Sequence, residues 1–214
     1  MLMAARRAAK AAEVTKRFVD EIQLLRQQIA AAAGSGRVVS LLGLSAGIGT
    51  TSLAVWLARA FAQEPQRTVL VDANFANPAL HELFYMDLEP GAGDMLRGRV
   101  SQKDVIRTAA DSHLEIITCG KPEPGASVEH WRRQWRELAS DRFVVVDAGS
   151  AASASALTVA DASDGVVLVV KHGESRREQV ESLKKRLAVR GAKVLGVILS
   201  QRRYVVPAAV YRRL

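Results

Sequence analysis

Residues 4–33 are rich in Ala, Arg, Lys, Glu and Gln and contain no Pro or Gly, a composition that favours helix. Phe18, Ile22, Leu25 and Ile29 recur there at helical spacing, giving one apolar stripe on an otherwise polar rod. Gly34, Ser35 and Gly36 end the pattern as a short hinge. After the hinge, β-rich runs alternate with helical ones. Strands are predicted over 37–44, 67–74, 114–120, 142–149, 164–172 and 193–201. Helices are predicted over 51–63, 127–140 and 175–191, the last closed by Gly191, with short ones over 78–84 and 91–98 and a further helical stretch over 101–110. The run RFVVVDAG at 142–149 is nearly continuous in apolar residues, as expected of a strand covered on both faces. The β-then-α alternation predicts a three-layer αβα fold: a mainly parallel sheet between helices, with an N-terminal helix in front. Ligands of such sheets sit at the carboxyl ends of the strands.

With 214 residues and 49% hydrophobic composition, the chain supports one sizeable core. The expected organisation is a basic amphipathic helix over 1–33, the hinge at 34–36 and one α/β domain over 37–214. No apolar run approaches the roughly 20 residues of a membrane-spanning helix, and residues 1–14 lack a signal-peptide core. Cys119 is the single cysteine, which excludes an internal disulfide. These features point to the cytoplasm. The net charge of +8 is unevenly placed: +4 over 1–37, −5 over 38–170 and +9 over 171–214. Basic ends around an acidic middle suit an anionic partner, such as a membrane surface, an acidic protein or nucleic acid, or else a solvated face.

The chemistry-bearing motif is SAGIGTTS, Ser45 to Ser52, between the first predicted strand and the helix that follows. In a P-loop, glycines let backbone N–H groups converge on phosphate oxygens at a helix N-terminus. A Lys adds charge at the β/γ-phosphates, and the next Ser/Thr binds Mg²⁺. Gly47, Ile48, Gly49, Thr50, Thr51 and Ser52 are the candidate cradle, and Thr51 stands where the Mg²⁺ hydroxyl belongs. Thr50 stands where the lysine belongs and brings no charge.

The order of motifs resembles the deviant-Walker P-loop ATPases, the group of the MinD/ParA proteins and the bacterial tyrosine kinases, and most of all the kinase branch of capsule and exopolysaccharide synthesis. The resemblance runs from about Asp20 onward. EIQLLRQQI is similar to the helix before the P-loop, where the kinases carry an assembly motif of an acid and two arginines; Arg26 is kept, Gln23 replaces the first arginine and Asp20 is the candidate acid. VLVDANFANP resembles the second Walker-type motif. Asp72 matches its first Asp, whereas Asn74 and Ala76 replace the second Asp and the Arg. RFVVVDAG resembles Walker B with Asp147 as its carboxylate, and Ser200 stands where an Asn often contacts the base. The tyrosine-rich tail of the kinases is absent; Tyr204 and Tyr211 are isolated.

The resemblance implies the fold strongly, but the substitutions fall on catalytic positions. Charge-assisted hydrogen bonds contribute roughly 1.5–3 kcal/mol each, so losing the lysine weakens binding by about one to two decades and costs more in the transition state. The expected protein is therefore a pseudo-kinase or pseudo-ATPase: a scaffold or regulator of exopolysaccharide polymerisation and export that binds ATP or ADP with Mg²⁺ weakly or not at all. Thr51, Asp72 and Asp147 are the candidate Mg²⁺ groups if nucleotide binds, and the two aspartates otherwise bond to loop amides or to Thr51. Expected partners are a membrane-anchored co-polymerase or adaptor and further copies of the chain, with Phe18, Ile22 and Arg26 in the assembly surface. Peripheral membrane contact is open, and no specific nucleic acid is expected. The alternatives are an active ATPase or tyrosine autokinase, including one completed by a neighbour's Arg or Lys, and a ParA/MinD-like positioning protein. His81, His113, His130 and His172 show no metal-ligand spacing, Trp131 and Trp135 share a helix face as core residues, and residues 202–214 either pack on the domain or dock elsewhere.

Overall fold

The computed structural model describes residues 2–109, 113–122 and 126–200, with side chains for Lys16 and from Phe18 onward. Tyr204, Tyr211 and the rest of the segment after Ser200 lie outside the described residues. The N-terminal helix α1 (Leu2–Ala33) leads into β1 (Val38–Gly43), α2 (Thr50–Phe61) and β2 (Arg67–Asp72). Short helices α3 (Leu80–Leu83), α4 (Ala92–Leu96) and α5 (Gln102–Val105) precede β3 (Arg107–Thr108) and β4 (Leu114–Ile117). The chain continues through α6 (Val128–Leu138), β5 (Arg142–Ser150), α7 (Ala154–Ala162), β6 (Gly165–Lys171), α8 (Arg177–Val189) and β7 (Val194–Ser200).

The seven strands form one sheet in the order β3-β4-β2-β5-β1-β6-β7. All pairs are parallel except β3 with β4. Alternation along each strand feeds two apolar layers. Val39, Leu41, Leu70, Val145 and Val167 join Ile29, Leu57, Ala58 and Phe61 beneath α1 and α2. Val38, Leu42, Val69, Val144, Val146 and Leu168 join Trp131, Trp135, Leu183 and Leu187 beneath α6 and α8. Trp131 and Trp135 are fully buried and stacked at 4.7 Å, so the shared face of α6 is core.

Two elements differ from the reading of the sequence. The helical stretch expected over 101–110 stops after one turn. Asp104 caps α5 by accepting from the Ser101 N–H at 2.8 Å, and Ile106 then turns extended so that Arg107 pairs opposite Ile116. Pairing with β4 overrides a weak helical period that ends in the β-rich Val105, Ile106 and Thr108. Helix α7 was not expected at all. Its sequence, ASALTVADA, is small and nearly uncharged, and six of its nine residues are buried, so no polar face marks the period.

The stripe on α1 reaches the core through Ile22 and Ile29, both buried. Phe18 sits at its end, edge-on to Trp56 at 5.2 Å. The Gly34–Gly36 segment is held to the domain: Asp164 accepts from the N–H groups of Arg37 and Val38 at 2.8 and 2.9 Å. A Cβ on Gly36 would lie 2.7 Å from the Asp164 side chain, so only glycine allows this approach.

Candidate functional site

Every candidate group of the two Walker-type motifs converges at the carboxyl ends of β1, β2 and β5. The loop after β1 enters α2 through Gly49, whose left-handed φ of +89° is a conformation that glycine tolerates without strain. Ile48 anchors the loop from below, with its side chain 2% exposed, while its carbonyl accepts from the Ser200 hydroxyl at 2.7 Å. Thr50 is buried at the start of α2 and packs onto Gly43; a Cβ there would fall 2.5 Å from its Oγ1. Thr50 thus lies against the loop floor. Ser52 is exposed on the first turn of α2.

Asp72 and Asp147 are paired residues of β2 and β5. They lie on the α2 side, because Leu70 and Val145, two residues before each, pack there. The Asp147 carboxylate accepts from the Thr51 hydroxyl at 2.5 Å and from the Gly149 N–H at 3.0 Å. Asp72 accepts from the N–H groups of Asn74 at 3.1 Å and of Ala79 and Leu80 at 3.0 Å each. Burial is the main cause that raises both carboxyl groups above their ordinary range, and the negative charge of Asp72 adds to it for Asp147, which is pushed up to about 6. For Asp72 the three amides oppose the rise.

Asn74 is engaged within its own loop. Its Nδ2 donates to the Asn77 carbonyl at 2.9 Å and its Oδ1 accepts from the Asn77 N–H at 3.3 Å. Its side chain also fills the space beside Gly149 where a Cβ would stand 2.4 Å from Oδ1. Cys119 is buried nearby, and burial together with the surrounding aspartates pushes its thiol up, far from a reactive thiolate. Among the described residues no group of three His, Cys, Asp or Glu side chains could hold a metal ion.

These donors fit a bound phosphate in part. The glycine-shaped loop and the twelve-residue α2 behind it are what an anion requires, and the Thr51–Asp147 pair is where a phosphate-bound Mg²⁺ would be held. The residue that opens α2 at this loop is the uncharged Thr50. Sequence reasoning named the two aspartates and Thr51. It also expected loop amides or Thr51 as their partners, which is what they have, but it did not name Ala79 and Leu80 as the amides on Asp72, nor the latch from Ser200 to Ile48. The first are backbone groups and the second is a common hydroxyl, so neither carries a signal in residue type.

No protein-family model matches the chain. It is 29% identical over 190 residues to the tyrosine-protein kinase YwqD of Bacillus subtilis, covering 85% of this chain and 80% of that protein. Its fold superposes on the kinase domain of the Escherichia coli tyrosine kinase ETK with a TM-score of 0.78 at 22% identity, covering 89% of this chain and 79% of that one. The chain is similar in sequence to bacterial tyrosine kinases and in fold to the MinD-like P-loop ATPases. It also shares its fold with the MinD protein of Pyrococcus horikoshii solved with Mg-ADP, at a TM-score of 0.66 and 18% identity, covering 83% of this chain and 76% of that one. Against the tyrosine kinases of Acinetobacter johnsonii and E. coli, each 26% identical to it, the chain spans 26% of the relative's length.

Helix α1 carries the three residues expected in the assembly surface. Here Arg26 pairs with Glu64 at 3.0 Å, donates to Gln23 at 3.0 Å and lies 5.9 Å over the Phe61 ring. Arg26 and Ile22 are thus engaged within the chain, and Phe18, 38% exposed, is the assembly candidate that offers surface. No helix among the described residues is long and apolar enough to cross a membrane.

Proposed function

We propose that this chain is a catalytically silent member of the kinase branch, acting as a cytoplasmic scaffold or regulator of polysaccharide polymerisation and export. The observation that carries the reading is Thr50: the P-loop keeps its glycines and helix but has an uncharged, buried threonine where phosphoryl transfer needs a cation. Asn74, tied to Asn77, supports it, since an amide cannot accept a hydroxyl proton as a carboxylate does. ATP or ADP with Mg²⁺ binds weakly or not at all at the Gly47–Ser52 loop. The partners are a membrane-anchored co-polymerase or adaptor and further copies of the chain, which place it at the inner membrane. Calorimetry with ATP and ADP, with and without Mg²⁺, alongside a γ-phosphate release assay, tests this. The expected result is weak or absent binding and no turnover; robust Mg²⁺-dependent release refutes it.

A second reading, an active tyrosine autokinase, draws on the intact Thr51–Asp147 hydrogen bond and on relatives that are tyrosine kinases. It requires turnover that Thr51→Ala and Asp147→Ala both abolish.

A further inference from the structure

The two edges of the sheet are finished differently. At one, β3 is two residues long, antiparallel, and anchored by Arg107, whose Nη1 donates to the Thr118 hydroxyl at 3.0 Å. A short, charged edge of this kind resists further strands. At the other, β7 runs for seven residues, VLGVILS, with no charge and no proline. The Ser200 carbonyl accepts from the His172 N–H at 3.1 Å, so the Ser200 main chain faces β6. Alternation along the strand turns the main chains of Val197 and Leu199 toward the open edge. Their side chains are also 45% and 47% exposed. No described residue pairs with this outer side.

The surroundings narrow what can cover it. Helix α8 packs on β7, and residues 176–193 carry seven Lys or Arg against two Glu. Of these cations Arg190 is taken up by Asp161 at 2.5 Å and Lys184 pairs with Glu181 at 3.3 Å, while Arg177, Lys185 and Arg186 are exposed. A second copy pairing edge to edge would set two such helices side by side, where like charges repel. Residues 201–214 carry four arginines and no Asp or Glu. A lipid surface leaves the open N–H and C=O groups unsatisfied. An extended polypeptide with carboxylates answers both demands: its backbone completes the ladder and its charge meets α8.

We infer that β7 is the receiving edge for an extended, acidic segment of a partner protein, which adds as the next strand of the sheet beside α8. The inference rests on the edge and its charge, and it stands whether or not the P-loop turns over nucleotide.

The test uses the full chain and two labelled synthetic peptides, one alternating Glu and Val and its Lys–Val counterpart, read by fluorescence anisotropy at low and moderate salt. The acidic peptide binds, the basic one does not, and added salt weakens the complex. Val197→Pro removes an outward N–H without touching the β6 ladder and weakens binding about tenfold or more; circular dichroism confirms that it folds. Leu199→Pro serves as the second edge block. Lys185→Glu with Arg186→Glu shifts preference toward the basic peptide. Binding unchanged by both prolines, equal binding of both peptides, or binding of neither overturns the inference. So does light scattering that finds a wild-type dimer which Val197→Pro converts to monomer, since a second copy would then hold the edge.

Discussion

The sheet buries carboxylates at both of its ends and treats them in opposite ways. At the amino ends of β2, β4 and β5, Glu115 accepts from Arg142 Nε at 2.5 Å and from Arg67, and Asp141 closes the cluster by accepting from both arginines. At the carboxyl ends, Asp72 and Asp147 stand side by side and are held by backbone N–H groups and the Thr51 hydroxyl. The central acid is buried in both: Glu115 is 7% exposed and Asp147 1%. Two guanidinium groups make the first a structural joint between strands. The second retains negative charge that neutral donors only partly balance, so burial drives its carboxyls toward the protonated form. A buried acid is therefore a poor guide to function until its partners are known. The same residue type fastens the sheet at one end and keeps a strained electrostatic site at the other.

Substitution separates the two ends by sign. The largest effect is expected from Glu115→Ala, which removes the buried counter-charge of Arg142, whose side chain is 14% exposed, and leaves it only the half-exposed Asp141. The expected cost is at the low end for a broken buried pair, about 3 kcal/mol in urea unfolding, because Asp141 remains; a cost below about 1 kcal/mol would make the cluster a surface ornament and erase the contrast. Asp147→Asn should instead stabilise the fold at pH 7. A carboxyl raised from 3.8 to about 6 in the folded chain holds its proton longer than in the unfolded chain. Stability from this group is thus greatest near pH 4 and falls as pH rises toward 6, by roughly 3 kcal/mol. The amide avoids that loss but weakens the bond with Thr51, worth about 1 kcal/mol, for a net gain of about 2 kcal/mol at pH 7 that vanishes near pH 4. Paired urea curves at the two pH values read it, and a gain independent of pH contradicts the raised carboxyl. Thr50→Lys comes next. Its side chain must leave the floor beside Gly43, so only the lower end of a charge-assisted bond is expected, about 1.5 kcal/mol or tenfold tighter ATP by calorimetry. No gain would show that the loop lacks more than its cation.

Much of this contrast could be read from the chain, and the missing part has a physical cause. Asp72 and Asp147 end runs of apolar residues, so period and position mark them as buried groups at a ligand end. Thr50 is legible because the glycines around it fix the register of the loop. Glu115 was not singled out, because one acid inside LEIITCG says nothing of Arg67 and Arg142, which reach it from two other strands. Ser200 was marked only as a base-contact position, and its bond to Ile48, across 152 residues of sequence, carried no signal. Helix α7 escaped for another reason: buried on most sides, it has no polar face to reveal its period. Pattern reports what each segment does alone, and pairing across strands is decided by the sheet.

The smallest expected effect tests whether Asn74 belongs to either end. Its amide makes two hydrogen bonds to Asn77, at 2.9 and 3.3 Å, on the surface side of the site. Such bonds compete with water, so Asn74→Ala should cost under about 1 kcal/mol, a shift of a few degrees in the melting temperature. Asn74→Asp should cost more at pH 7, because it loses the donor to the Asn77 carbonyl and sets a third carboxylate near two that are already raised. The difference between the two variants should shrink as pH falls below the raised carboxyl of Asp147, because the carboxyl that the new charge faces there is protonated. If Asn74→Asp is the milder change at pH 7, the carboxyl end tolerates added negative charge. The opposition between a neutralised end and a charged one would then fail at the residue closest to the lost chemistry.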